Sequence, residues 1–166
     1  MSESKLSMIG RTAKMTTIGA IKGTGDTAEA LVGAARDLLL TAVDGVAQVA
    51  VAAEKASAQI VGGAVEAAGE VGEDVFGVIR ATVHGTVKAA SEAGADVGKT
   101  AVAATEAALK AAGAIGADAS GAVKHAVTGA IEAADEIGED AAKAVRNVLA
   151  TSIKGAKDVI EQPFKK

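Results

Sequence analysis

Residues 93–100, AGADVGKT, carry the residue types of a phosphate-binding loop, a glycine-rich turn running into Gly98-Lys99-Thr100. Such a loop works when backbone N–H groups at a helix start cradle phosphate oxygens and the lysine adds a cation. It also needs a buried strand in front of it. The residues in front here, GTVKAASE (85–92), read as helix, and no hydrophobic strand ending in Asp follows. A second stretch, Gly23-Thr24-Gly25-Asp26-Thr27-Ala28, matches a dinucleotide-binding turn loosely and lacks strands in the same way. Nucleotide binding is not expected from either.

The carboxylates form two groups, Glu66, Glu70, Glu73 and Asp74, then Glu132, Asp135, Glu136, Glu139 and Asp140. Hard cations such as Ca²⁺ take oxygen ligands of this kind. No Glu-x-x-His of a di-iron bundle accompanies them, and the expected reading is a solvated acidic face. His84 and His125 stand singly, outside any nucleophile arrangement, and are expected at the surface or between helices. The chain has no Cys, Trp or Tyr. This excludes disulfides and thiolate metal sites and leaves no aromatic platform for nucleic-acid bases. No catalytic, cofactor-binding or metal-ligating residue is expected, and no nucleotide or nucleic-acid partner.

The elements that carry these residues follow a repeat. Residues 129–150, GAIEAADEIGEDAAKAVRNVLA, align with 63–84 after a shift of 66 and with 107–128 after a shift of 22. The register places unit starts at 19, 41, 63, 85, 107, 129 and 151, after a lead-in at 1–18. The domain organisation is thus a lead-in (1–18) and a helical repeat array (19–166). Position 3 of the unit is β-branched or Leu throughout: Ile21, Val43, Val65, Val87, Leu109, Ile131 and Ile153. Position 9 adds Val71, Ile115 and Ile137. Polar residues favour positions 4, 8, 11, 15, 18 and 22, steps of three and four that mark one face of a helix. Alternation of period two is absent, so strands are not predicted.

The unit is two elevens, and eleven residues make three turns at about 3.67 residues per turn, a straight or slightly right-handed helix. Pairs such as Lys88/Glu92, Glu139/Lys143 and Lys154/Asp158 stand at helical spacing. Four units carry Gly-x-Asp: Gly72 and Asp74, Gly94 and Asp96, Gly116 and Asp118, Gly138 and Asp140. Glycine closes a helix in the left-handed conformation and aspartate opens one as an N-cap. The fold class is therefore all-α, either hairpins turning at Gly-x-Asp or long continuous helices. Position 15 alternates Gly33, Lys55, Gly77, Lys99, Gly121 and Lys143, which points to a doubled period of 44.

Composition adds a constraint on burial. Hydrophobic residues make up 49% of the 166, but most are Ala and Val. Alanine buries far less area than the leucine or phenylalanine whose burial is worth roughly 1.5–3 kcal/mol. Self-association or an external apolar surface is expected to supply the missing burial. Net charge is −4, with +3 over residues 1–22, +2 over 151–166 and −9 between. Basic ends on an acidic middle suit anionic lipid or head-to-tail pairing. No signal-peptide core is evident at the N-terminus. No 18-residue apolar run occurs, the nearest (45–65) being broken by Glu54 and Lys55.

In the tract 61–160, the segments EAADEIGEDAAKAV (132–145) and TVKAASEAGADVGKTAVAA (86–104) carry a resemblance. The tract resembles the hendecad amphipathic repeats of late-embryogenesis-abundant group 3 proteins, synucleins, perilipins and phasins, in composition and period. It is less lysine-rich than synucleins and richer in Gly and Val than desiccation protectants. The resemblance implies amphipathic helices that associate with surfaces. The expected function is a non-catalytic structural protein that self-assembles as a homo-oligomer or filament, or coats an anionic membrane or storage granule. Its expected location is cytoplasmic or peripheral. The alternatives are a soluble helical-hairpin scaffold for a partner protein and a stress protectant.

Overall fold

Glycine at a positive φ punctuates the chain. The computed structural model describes residues 3–22, 27–72 and 74–161, with the backbone alone at 3–6 and 22. Gly72, Gly94 and Gly116 have φ of 70°, 75° and 76°, a region where a Cβ is penalised. Two residues on, Asp74, Asp96 and Asp118 are extended, and their carboxylates accept the N–H of Gly77, Lys99 and Gly121 at 3.0, 2.9 and 2.9 Å. One helix is thereby closed and the next opened within three residues.

The resulting helices are α1 (Glu3–Lys22), α2 (Thr27–Val43), α3 (Val49–Val71), α4 (Val75–Glu92), α5 (Val97–Ala114), α6 (Ala119–Ile137), α7 (Glu139–Ser152) and α8 (Ala156–Glu161). No strand occurs among the described residues. The chain folds back at each turn and does not run on as one long helix.

The fourth Gly-x-Asp behaves differently. Gly138, at φ 153° and ψ 175°, ends α6 and also starts α7. That backbone conformation is open essentially to glycine alone. With α7 beginning at Glu139, Asp140 is not a turn residue. It lies inside the first helical turn, where its charge meets the positive end of the helix dipole. Two further turns lack the Gly-x-Asp pattern and pivot on Gly45 (φ 71°) and Gly155 (φ 89°). The second places Lys154 ahead of α8, so Lys154/Asp158 is not a helical pair.

Each helix packs on helices one and two positions along the chain and on none farther, among the described residues. The odd helices α1, α3, α5 and α7 form one layer and the even helices α2, α4, α6 and α8 a second. Within a layer neighbours run parallel, since Arg80–Glu132 and His84–Glu136 both join residues 52 apart. Leu39, Ile60, Val61, Val65, Ile79, Val83, Val87, Val127, Ile131, Val145 and Leu149 are buried, with alanines filling between them. Most of the apolar side chains thus lie between the two layers. Met8, Met15 and Val51 are the exposed large hydrophobic residues among those described. No described helix is long and apolar enough to cross a membrane.

Candidate functional site

Of the position-3 residues, Val43, Val65, Val87, Ile131 and Ile153 are buried, while Ile21 and Leu109 are half-buried. Val71, Ile115 and Ile137, from position 9, are half-buried at helix C-terminal ends. The closest approaches lie at position 1. A Cβ on Gly63 of α3 would run into the backbone carbonyl of Gly10 on α1. Gly85 of α4 meets the Val32 carbonyl of α2 in the same way, and Gly129 of α6 meets the Arg80 carbonyl of α4. Parallel helices come this near only where one side has no side chain, which leaves Cα–H groups against carbonyl oxygens. A signal was present: position 1 reads Gly19, Thr41, Gly63, Gly85, Ala107, Gly129 and Thr151, small throughout.

The acidic groups are engaged within these seams. Lys14 of α1 reaches Glu66 and Glu70 of α3 at 3.0 and 2.6 Å. The Glu70 and Glu66 hydrogen bonds hold its ammonium pKa above the ordinary lysine value. Arg36 of α2 meets Glu92 of α4 at 2.6 Å. Arg80 of α4 grips both Glu132 oxygens of α6, at 2.6 and 2.7 Å. Glu136 lies 3.1 Å from His84 and 3.4 Å from Lys88. Burial pushes the Glu136 pKa up, but the His84 hydrogen bond and the charges of His84 and Lys88 outweigh it and hold the group below the usual carboxylate range.

Across the α6–α7 hairpin Arg146 holds Asp135 at 2.9 Å. The Lys88/Glu92 pair read from helical spacing does not form, because each side chain goes to a neighbouring helix instead. Glu139 and Lys143 do meet, at 3.3 Å. Among the described residues no group of three or more His, Asp or Glu is arranged to hold a metal ion. Glu73 lies outside the described residues, as do the 23–26 part of the dinucleotide-like stretch and basic Lys165 and Lys166.

The second histidine also sits in the α4–α6 seam. His125 stacks on Phe76 with ring centroids 5.2 Å apart and planes 7° from parallel. Gly121 lies under the Phe76 ring, which a Cβ there would strike. Burial lowers the His125 pKa, and the charges of Arg80 and Lys124 lower it further.

At the phosphate-loop match, the Lys99 N–H donates to the Asp96 carboxylate at 2.9 Å, so a carboxylate occupies the place of a phosphate oxygen. Lys99 itself is exposed.

The outer face of the odd layer is shaped differently from these seams. A surface trough of about 890 Å³ runs over α1, α3 and α5. Small residues line it, Ala58 and Gly62 of α3 with Ala103 and Ala107 of α5, together with polar Gln59 and Glu66 of α3 and with Arg11, Lys14, Glu106 and Lys110. A Cβ on Gly62 would meet nothing within 4 Å. Among the described residues no ion pair joins α3 to α5. Gly69 of α3 takes the Ile115 side chain there instead. This arrangement offers shape and mixed charge. No protein-family model matches the chain, and no curated protein matches it with significance.

Proposed function

We propose that the chain is a non-catalytic structural protein, seven 22-residue units folded as paired helices, and that it serves as a helical scaffold. The trough over α1, α3 and α5 seats one helix of a partner protein. The observation that carries this reading is the contrast between a face lined in part by Gly62, Ala58, Ala103 and Ala107 and seams already filled by glycine–carbonyl contacts. Small residues allow a helix backbone to come close, and helix-in-groove binding reads its ligand by such shape. Stacked helical repeats present extended surfaces of this kind for binding. The mixed edge of Lys110 and Glu106 suits a helix with a small-residue face and charges of both signs on its flanks.

Coating of a lipid or granule surface draws less support, because the apolar helix faces lie between the layers. Gly62→Leu tests the reading, since its side chain would fill the trough without touching the seams. Proximity crosslinking in the native host is expected to capture a partner with the wild-type chain and lose it with Gly62→Leu, at unchanged circular dichroism. An identical capture profile for the two, or flotation of both with anionic vesicles, would overturn the scaffold reading in favour of the coat.

A further inference from the structure

The two ends of the helical stack are built differently. At the C-terminal end α7 buries Ala142, Val145 and Leu149 and turns Asp140, Lys143, Asn147 and Thr151 to solvent, a polar finish of the kind a stacked array needs. At the N-terminal end α1 leaves Met8 59% and Met15 73% exposed. Helix α1 meets α3 through Gly10 and Lys14. At about 100° per residue, Met8, Thr12, Met15 and Gly19 fall on the opposite side, facing away from the stack. Moving on by the doubled period carries Met15 and Gly19 onto Gln59 and Gly63, and these are the residues by which α3 sits on Gly10 of α1. Helix α1 therefore repeats the seating stripe of an odd helix with no described residue beneath it, and a Cβ on Gly19 would meet no atom within 4 Å.

Helix α2 has a matching outer side. It meets α4 through Val32, Ala35 and Arg36. Ala30, Ala34, Asp37 and Thr41 lie opposite; Ala30, Asp37 and Thr41 are exposed and Ala34 half-buried. We propose that this N-terminal end is the interface of a two-fold dimer of the chain, α1 of each copy lying antiparallel on α2 of the other.

The spacing fits. Met8 and Met15 are seven residues apart, as are Ala34 and Thr41. One antiparallel register sets Met8 over Thr41, Met15 over Ala34 and Thr12 over Asp37. Large apolar side chains then meet small ones. Arg11 is exposed and makes no ion pair among the described residues, and it comes beside Asp37 of the second copy. The Asp37 side chain is 72% exposed and pairs, among the described residues, with Arg36 of its own helix at 2.9 Å. The two-fold makes each contact twice. A head-to-tail arrangement would set the methionines on the polar α7 face and gain neither term.

Sedimentation equilibrium on the full chain reads the outcome. The wild type is expected as a dimer, and Met8→Lys/Met15→Lys as a monomer with unchanged circular dichroism, since both side chains are exposed. Arg11→Asp alone is expected to raise the dimer dissociation constant about tenfold, and adding Asp37→Arg to restore it. A monomeric wild type, growth beyond the dimer with concentration, or a dimer that survives the double lysine substitution would overturn the proposal. Gly62→Leu leaves this interface untouched, so a lost partner helix and a lost dimer are distinguishable.

Discussion

Helix α4 meets α6 through Gly129 set against the Arg80 carbonyl, the two-toothed Arg80–Glu132 pair, Glu136 shared by His84 and Lys88, and the Phe76–His125 stack. Helix α3 meets α5 with alanines and with Gly69 against the Ile115 side chain, and no ion pair crosses there among the described residues. The first seam fixes its register by directional contacts that a slip of one residue would break. The second is held by shape alone and leaves its outer face open as the trough. One parallel helix geometry thus serves as a closed joint between α4 and α6 and as a presented surface between α3 and α5.

The largest expected effect breaks the closed joint. Gly129→Ala drives a methyl group into the backbone of Arg80, and only separation of the helices relieves it. A loss of about 1–3 kcal/mol is expected in urea unfolding, as for other overpacked cores. The same change at Gly62, on the open face, should raise stability by up to about 1 kcal/mol through helix propensity. Equal losses at both sites would show that the two faces do not differ in the way described.

A comparable gain is expected from Thr105→Val in α5. The Thr105 hydroxyl is buried without a hydrogen-bond partner among the described residues, and removing such a group commonly returns about 1 kcal/mol. Buried threonines that are hydrogen-bonded, such as Thr82 to the Val78 carbonyl at 2.7 Å, should not gain. An Arg80/Glu132 double-mutant cycle should give a coupling of about 0.5–1 kcal/mol, the upper range for an exposed pair of good geometry.

The smallest effect is in pH. The folded His125 pKa lies below its ordinary 6.5. The unfolded chain therefore binds more protons in this range, and stability falls as pH drops from 7 through the folded value. Replacing His125 with Phe keeps the ring stack and should flatten that slope, measured as melting temperature against pH. An unchanged slope would place the titration elsewhere.

The turns were legible in the sequence because both signals are local. A left-handed glycine and a capping aspartate at fixed spacing close and open a helix whatever surrounds them, as at Gly94 and Asp96. Asp140 shows the limit. The tripeptide at 138–140 repeats the pattern, yet Gly138 takes φ 153° and α7 starts at Glu139, so the same three residue types give a different junction. The ion pairs were hidden because Arg80 and Glu132 stand 52 residues apart, whereas helical spacing relates charges only three or four apart. The small residues at position 1 were legible as a column of the repeat, but their role was not, since only the approach of a second backbone separates Gly129 from Gly62. The trough is an absence of bulk summed over three helices distant in sequence, and no local pattern reports it.

The confinement of contacts to helices one and two positions along has a consequence for biosynthesis. As the chain leaves the ribosome, each new helix from α3 onward finds the two helices it docks on behind it already made, and its remaining partners are the next two to emerge. Nothing synthesised early must wait for the last residues, and closing distances stay short throughout. Assembly can therefore advance in step with translation. A ribosome stalled after any hairpin would hold a nascent chain whose earlier helices are already protected from proteolysis.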